Sequence, residues 1–156
     1  MDRTRTNTRS DERTLSGHTV REVIAELAQR APTRNYLLAP ESGSAFSYAD
    51  LEQRARKIAQ HLDALGLEMG DVVSFMLGNG PGTAELILGS MYGGFICAPL
   101  NAASGLSQLT YVLDHSQTDI VFVSADHEGK LHQALASIKR EVRIIVTDVD
   151  TGPEWP

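Results

Sequence analysis

Long apolar runs, cysteine and clustered positive charge are what this chain has little of, and each shortage excludes something. No apolar stretch approaches the ~20 residues needed to span a bilayer, and no apolar segment of signal-peptide type follows Met1. Cys97 is the single cysteine, so no internal disulfide forms and a reducing compartment, the cytoplasm, is expected. From Thr19 onward no basic stripe occurs and the formal net charge is −6, which argues against nucleic acid as a partner. What is present is a globular composition, 42% apolar and 22% charged over 156 residues. That length suits one domain with a real core and is too short for two.

Residues 1–18 carry four arginines against Asp2, Asp11 and Glu12, with Leu15 as their one aliphatic residue. Such a segment buries too little apolar area to offset its chain entropy, so a disordered polar tail is expected. Its acidic residues argue against an organelle transit peptide.

The folded part is expected over residues 19–147. Thr19 to Glu22 matches a capping box, and Val20, Val23, Ile24, Leu27, Ala28 and Ala31 then fall on one helical face until Pro32. Two short strands, Tyr36–Ala39 and Ala45–Ser47, flank a Pro/Gly turn. A helix follows from Tyr48 to about Leu65, with Ser47 at its N-cap, Asp50 in its first turn and a stripe through Leu51, Ala55, Ile58, Ala59, Leu62 and Leu65. Strands and helices then alternate. Strand Val72–Leu77 leads to helix Thr83–Tyr92 and strand Phe95–Ala98. Helix Ser107–His115 leads to strand Ile120–Val123, and helix Glu128–Lys139 to strand Val142–Val146. Apolar strands alternating with helices predict an α/β fold, a mostly parallel sheet with helices on both faces. The helix over Thr83–Tyr92 has little polar face and is expected to lie buried between layers. Residues 148–156 read as an exposed, irregular end.

No catalytic, cofactor-binding or metal set emerges from the residues. Gly78-Asn79-Gly80-Pro81-Gly82 lies between a strand and a helix, where a phosphate loop would, but Thr83 and Ala84 stand where such a loop needs Lys and Ser/Thr. The dinucleotide fingerprint also fails, because no acid closes the next strand; a structural turn is the favoured reading. His18, His61, His115, His127 and His132 do not cluster at ligand spacing, and surface roles are expected. Cys97 sits in an apolar run as a small buried residue. Ser10, Ser42, Ser44 and Ser104 lie in loops outside any nucleophile elbow. Asp71, Asp119 and Asp148 flank strands; they could ring a site but are more simply turn formers.

Four segments in order carry a family resemblance. They are Ala45-Phe46-Ser47-Tyr48-Ala49-Asp50-Leu51, Leu65 to Val73 (LGLEMGDVV), Gly93 to Asn101 (GGFICAPLN) and Leu109 to Ser116 (LTYVLDHS). Together they resemble the N-terminal portion of the adenylate-forming ligases, the acyl-CoA synthetase or AMP-binding superfamily, and lean toward acyl- or aryl-CoA synthetases. The resemblance implies an ATP-dependent acid–thiol ligase that converts a carboxylic acid to an acyl-adenylate and passes it to CoA, with ATP, Mg2+ and CoA used by the full-length enzyme. The family's phosphate-binding loop, ribose-binding aspartate and C-terminal lysine have no counterpart in these residues. The chain by itself is therefore expected to be inactive and to bind none of these cofactors. Self-association through faces left bare is expected too. The alternative reading is a stand-alone, non-catalytic α/β binding or interaction domain.

Overall fold

The computed structural model describes residues 18–41 and 43–155. The polar tail expected over residues 1–18 lies, except for His18, outside them.

Helix α1, Val20–Arg30, opens on the expected capping box: Glu22 N–H donates to the Thr19 hydroxyl while the Glu22 carboxylate accepts from Thr19 N–H. Strands β1, Asn35–Ala39, and β2, Ser44–Ser47, form an antiparallel hairpin. Helix α2, Tyr48–Ala64, also carries a full capping box, with Asp50 at its third position returning a carboxylate oxygen to Ser47 N–H at 2.9 Å. Asp50 therefore does more than meet the helix dipole; it satisfies a donor that the helix leaves free.

The rest is a doubly wound unit. Strand β3, Val72–Met76, helix α3, Pro81–Gly93, strand β4, Ile96–Pro99, helix α4, Leu106–His115, strand β5, Thr118–Val123, helix α5, Ala125–Leu135, and strand β6, Arg143–Val146, follow in order. The four strands pair in parallel in the order β4-β3-β5-β6. Alternation along β5 shows how both faces are buried. Ile120 and Phe122 join Val73 and Phe75 against Ile58 and Leu62 of α2 and Leu86 of α3. Val121 and Val123 face the other way, with Met76, onto Leu109 and Leu113 of α4 and Leu131 and Ala134 of α5. A third cluster seats Ile24 of α1 on Leu51, Ala55 and Ala59 of α2 and Tyr92 of α3. The expected parallel sheet with helices on both faces is the observed one.

Three expectations need correction. Helix α3 is largely buried, as expected, but not through all of its large residues: Glu85, Leu86, Gly89, Ser90, Tyr92 and Gly93 face inward, whereas Ile87 and Leu88 are half-buried and Met91 is exposed. A Cβ on Gly89 would stand 2.6 Å from the Cβ of Ile58, so the missing side chain is what lets α2 and α3 approach so closely. Helix α5 starts at Ala125 instead of Glu128, directly off β5 with Ser124 extended at its N-cap. Ile138 reaches the core from a turn after the helix, its N–H bonded to Leu135 O at 2.9 Å, and not from a fourth helical turn. Residues after β6 hold no further helix or strand, but they are not all exposed. Trp155 packs on the first core cluster, stacked on His61 with centroids 4.5 Å apart and edge-on to Phe122 at 5.8 Å.

Candidate functional site

Chain direction in a parallel sheet sends every βα loop to one end. In the order β4-β3-β5-β6 the connections leave β3 toward β4 and leave β5 toward β6, so helices α3 and α5 depart to opposite faces. The gap between them, beyond the ends of β3 and β5, is where open α/β sheets hold ligands. A crevice of about 630 Å³ lies there, lined by Gly78 after β3, by Ser124, Asp126 and His127 at the start of α5, and by Asp148 and Glu154 after β6. A second crevice of about 750 Å³ runs between Leu37 and Leu38 of β1 and the start of α3, at Asn79, Pro81 and Ala84.

The first crevice has the wrong charge for phosphate. Asp126, Asp148 and Glu154 line it, and no Lys or Arg does. Asp148 Oδ1 accepts from Asp150 N–H at 2.8 Å and Thr151 N–H at 3.0 Å, bonds that hold its carboxyl below the usual range and tie it up as a turn former. The glycine loop fails the phosphate test in space as it does in sequence. Val149 O already accepts the Thr83 N–H at 3.2 Å at the mouth of α3. Among the described residues no group of His, Cys, Asp and Glu is placed to hold a metal ion. Among the described residues, this crevice presents no Lys or Arg side chain to a phosphate, and the Thr83 amide is taken.

The other residues weighed in the sequence are scattered. Asp71 and Asp119 sit at the opposite end of the sheet from Asp148. Asp71 Oδ2 accepts from Glu68 N–H at 2.7 Å and Asp119 Oδ2 from Val72 N–H at 2.9 Å, so the three ring nothing. Cys97 is half-buried, its Sγ–H directed at Ile87 O at 3.6 Å, and burial pushes the thiol up to about 11, far from a nucleophile's range. His132 lies on the α5 surface 3.6 Å from Glu128, and His115 is exposed and stacked on Tyr111. His61 departs from the surface role expected of it, because it is half-covered by Trp155. Of the first crevice the sequence offers only Gly78, His127 and Asp148, each on its own; Ser124, Asp126 and Glu154 carry no signal there. Only the strand order marks them, through the rule that places ligands where that order reverses.

The model of the AMP-binding enzyme family matches residues 24–155. The chain belongs to the AMP-binding family. It is 37% identical over 140 residues, 88% of its length, to a sulfoacetate–CoA ligase of Cupriavidus necator, and those residues cover 28% of that protein. It is 27% identical to 4-coumarate–CoA ligase 1 of Petroselinum crispum over 74% of its length and 21% of that protein. A solved protein from Rhodopseudomonas palustris, named for its likeness to long-chain-fatty-acid CoA ligases, superposes over 91% of this chain and 36% of its own, with a TM-score of 0.78 at 23% identity. A likeness at that identity shows the fold alone, an α/β scaffold shared also with a solved N-terminal domain from Mycobacterium tuberculosis. The chain spans about a quarter of the length of the curated AMP-binding relatives it matches. No helix among the described residues is long and apolar enough to cross a membrane.

Proposed function

We propose that this chain is scaffold from an ATP-dependent acid–thiol ligase. The whole enzyme would join a carboxylic acid to AMP with release of pyrophosphate, then pass the acyl group to the thiol of CoA. The observation that carries this reading is the 37% identity to a CoA ligase along 88% of the chain. The site supports the second half of the proposal, that residues 1–156 do no chemistry by themselves. Adenylate formation needs cationic and backbone donors fixed around developing phosphate charge. Here the crevice at the strand ends is acidic and the glycine loop is filled by Val149 O. We assign no catalytic, nucleotide-binding or metal-binding residue in this chain. Its role is to position, through β3 and β5, the loops of the segments that complete the enzyme, in the cytoplasm.

The test is the reading frame beyond Pro156. A continuation containing a Ser/Thr/Gly-rich loop with a lysine supports the ligase reading. A stop codon directly after Pro156 in the native gene would favour a non-catalytic binding domain instead.

A further inference from the structure

The two crevices at the strand ends share one wall. Val149 lines both, with Thr147, Asp148, Thr151 and Gly152 on the first crevice and Asp150 on the second. Four attachments hold the turn these residues make. At its start, Thr147 N–H donates to Val123 O at 2.9 Å. Within it, Asp148 Oδ1 accepts from Asp150 N–H, Thr151 N–H and, at 3.3 Å, the Thr151 hydroxyl, while Gly152 N–H donates to Asp148 O at 3.1 Å. At its tip, Val149 O accepts the Thr83 N–H. At its far end, the Trp155 ring lies 3° from parallel on His61.

The tip sits in a notch made by two absent side chains. A Cβ on Gly80 would stand 2.3 Å from Val149 O, and one on Gly82 would stand 2.5 Å from Gly152 N and 2.9 Å from Val149 O. Those are distances at which one backbone must move. Beneath the turn, Phe75, Met76, Phe122 and Val123 of β3 and β5 are buried. Asp148, Asp150 and Thr151 are exposed. Thr147 is buried and Trp155 packs on the core, but between those two ends the hydrogen bonds are exposed. A segment of that kind belongs to the low-stability end of a fold and opens before the rest.

We propose that residues 147–155 are a strap that opens as a unit. Closed, it stands between the two crevices and accepts the Thr83 N–H in the first turn of α3. Open, it joins the two crevices into one groove and uncovers the Thr83 N–H. The Gly80 and Gly82 notch sets the closed position and Trp155 anchors the end. This holds whether or not the whole protein is a ligase.

Trp155 is the single tryptophan, so its emission and its quenching by acrylamide report the anchor alone, and amide exchange reports the rest. In the 156-residue chain, the amides of Thr83, Thr151 and Gly152 are expected to exchange with one common opening rate, several-fold faster than those of Phe122 and Val123. Gly82→Ala is expected to raise acrylamide quenching of Trp155 several-fold, and to speed exchange at Thr83 and Gly152 together, with far-UV circular dichroism and the β5 amides unchanged. Asp148→Ala, which leaves the core untouched, is expected to do the same to a smaller degree and serves if Gly82→Ala does not fold. Thr83 and Gly152 amides that exchange only with the β5 amides, or a folded variant whose Trp155 stays shielded, would overturn the proposal.

Discussion

Arg54 of α2 donates from Nη1 to both carboxylate oxygens of Glu85 on α3, at 2.9 and 3.0 Å, with its guanidinium 4.6 Å over the ring of Phe46 in β2. One side chain thus joins the hairpin to the two helices that cover one face of the sheet. Glu85 is 8% exposed, and burial, outweighing Arg54, raises its carboxyl above the ordinary value. Beside it the Tyr36 hydroxyl is buried without a hydrogen-bond partner among the described residues, and burial with the Glu85 charge pushes that phenol up to about 12.

Removing the cation alone should therefore be worse than removing both charges. Arg54→Met leaves a buried carboxylate without its donor, at a cost of ~1–3 kcal/mol. Adding Glu85→Leu to it should return part of that loss, because the buried carboxylate left without a donor is then gone, while Arg54 itself is exposed. Urea unfolding of the two single variants and the double variant measures the coupling.

Acid should act on the fold in two opposed ways. Hydrogen bonds to Thr19 and Ser47 lower the carboxyls of Glu22 and Asp50. Their contribution is whole above the unfolded values, 4.5 and 3.8, and is lost as pH falls through the lower folded ones. Glu85 has the reverse sign. Its raised folded value gives a contribution that is whole below 4.5 and fades as pH rises through that folded value. Asp50→Asn should flatten the acid limb of a plot of stability against pH, and Glu85→Gln should steepen the rise above it. Ser47→Ala should destabilise by ~1 kcal/mol near neutral pH, as cap deletions do.

What the sequence reveals of this fold follows the range of the interactions involved. Both capping boxes rest on residues three apart, Thr19 with Glu22 and Ser47 with Asp50, and both could be read directly or nearly so. The parallel sheet was legible because β3 and β5 are apolar on both faces. Their order was not, since any of four apolar strands satisfies that pattern equally. The start of α5 was missed because Ser124 caps no amide with its side chain and Ile138 mimics a further helical position. Glu85 was hidden inside an apolar helix, and its partner lies 31 residues away. The crevice depends on the strand order, so it was out of reach for the same reason as the topology. The glycine loop lacks the lysine of a phosphate loop, and the contact of its Thr83 amide with Val149 O, far along the chain, is not visible in that pattern.

Nucleotides and CoA should leave the melting temperature of the isolated chain where it is. A ligand at 100 times its dissociation constant would stabilise by ~2.7 kcal/mol, which a thermal melt detects easily. A saturable rise with ATP, NAD or CoA would mean that the loop at Gly78–Gly82 takes phosphate after all.

The isolated chain should also self-associate. Leu38 is 65% exposed, Met69 79% and Tyr111 65%, and β4 and β6 each have a strand on one side only. Burying one such side chain gains about 1.5–3 kcal/mol, and open strand edges offer unpaired backbone groups. Light scattering behind a sizing column should find a dimer or larger species. A monomer of 17.0 kDa at high concentration would contradict this.

The most direct measurement of the central claim is exchange of pyrophosphate into ATP, driven by a panel of fatty and aromatic acids and sulfoacetate. It is run on residues 1–156 and on the product of a reading frame that continues past Pro156. The scaffold account predicts no acid-dependent exchange by the 156-residue chain and clear exchange by the longer one. Acid-dependent exchange by the pure 156-residue chain would contradict it, because that chain would then hold chemistry that its acidic crevice and filled glycine loop do not provide.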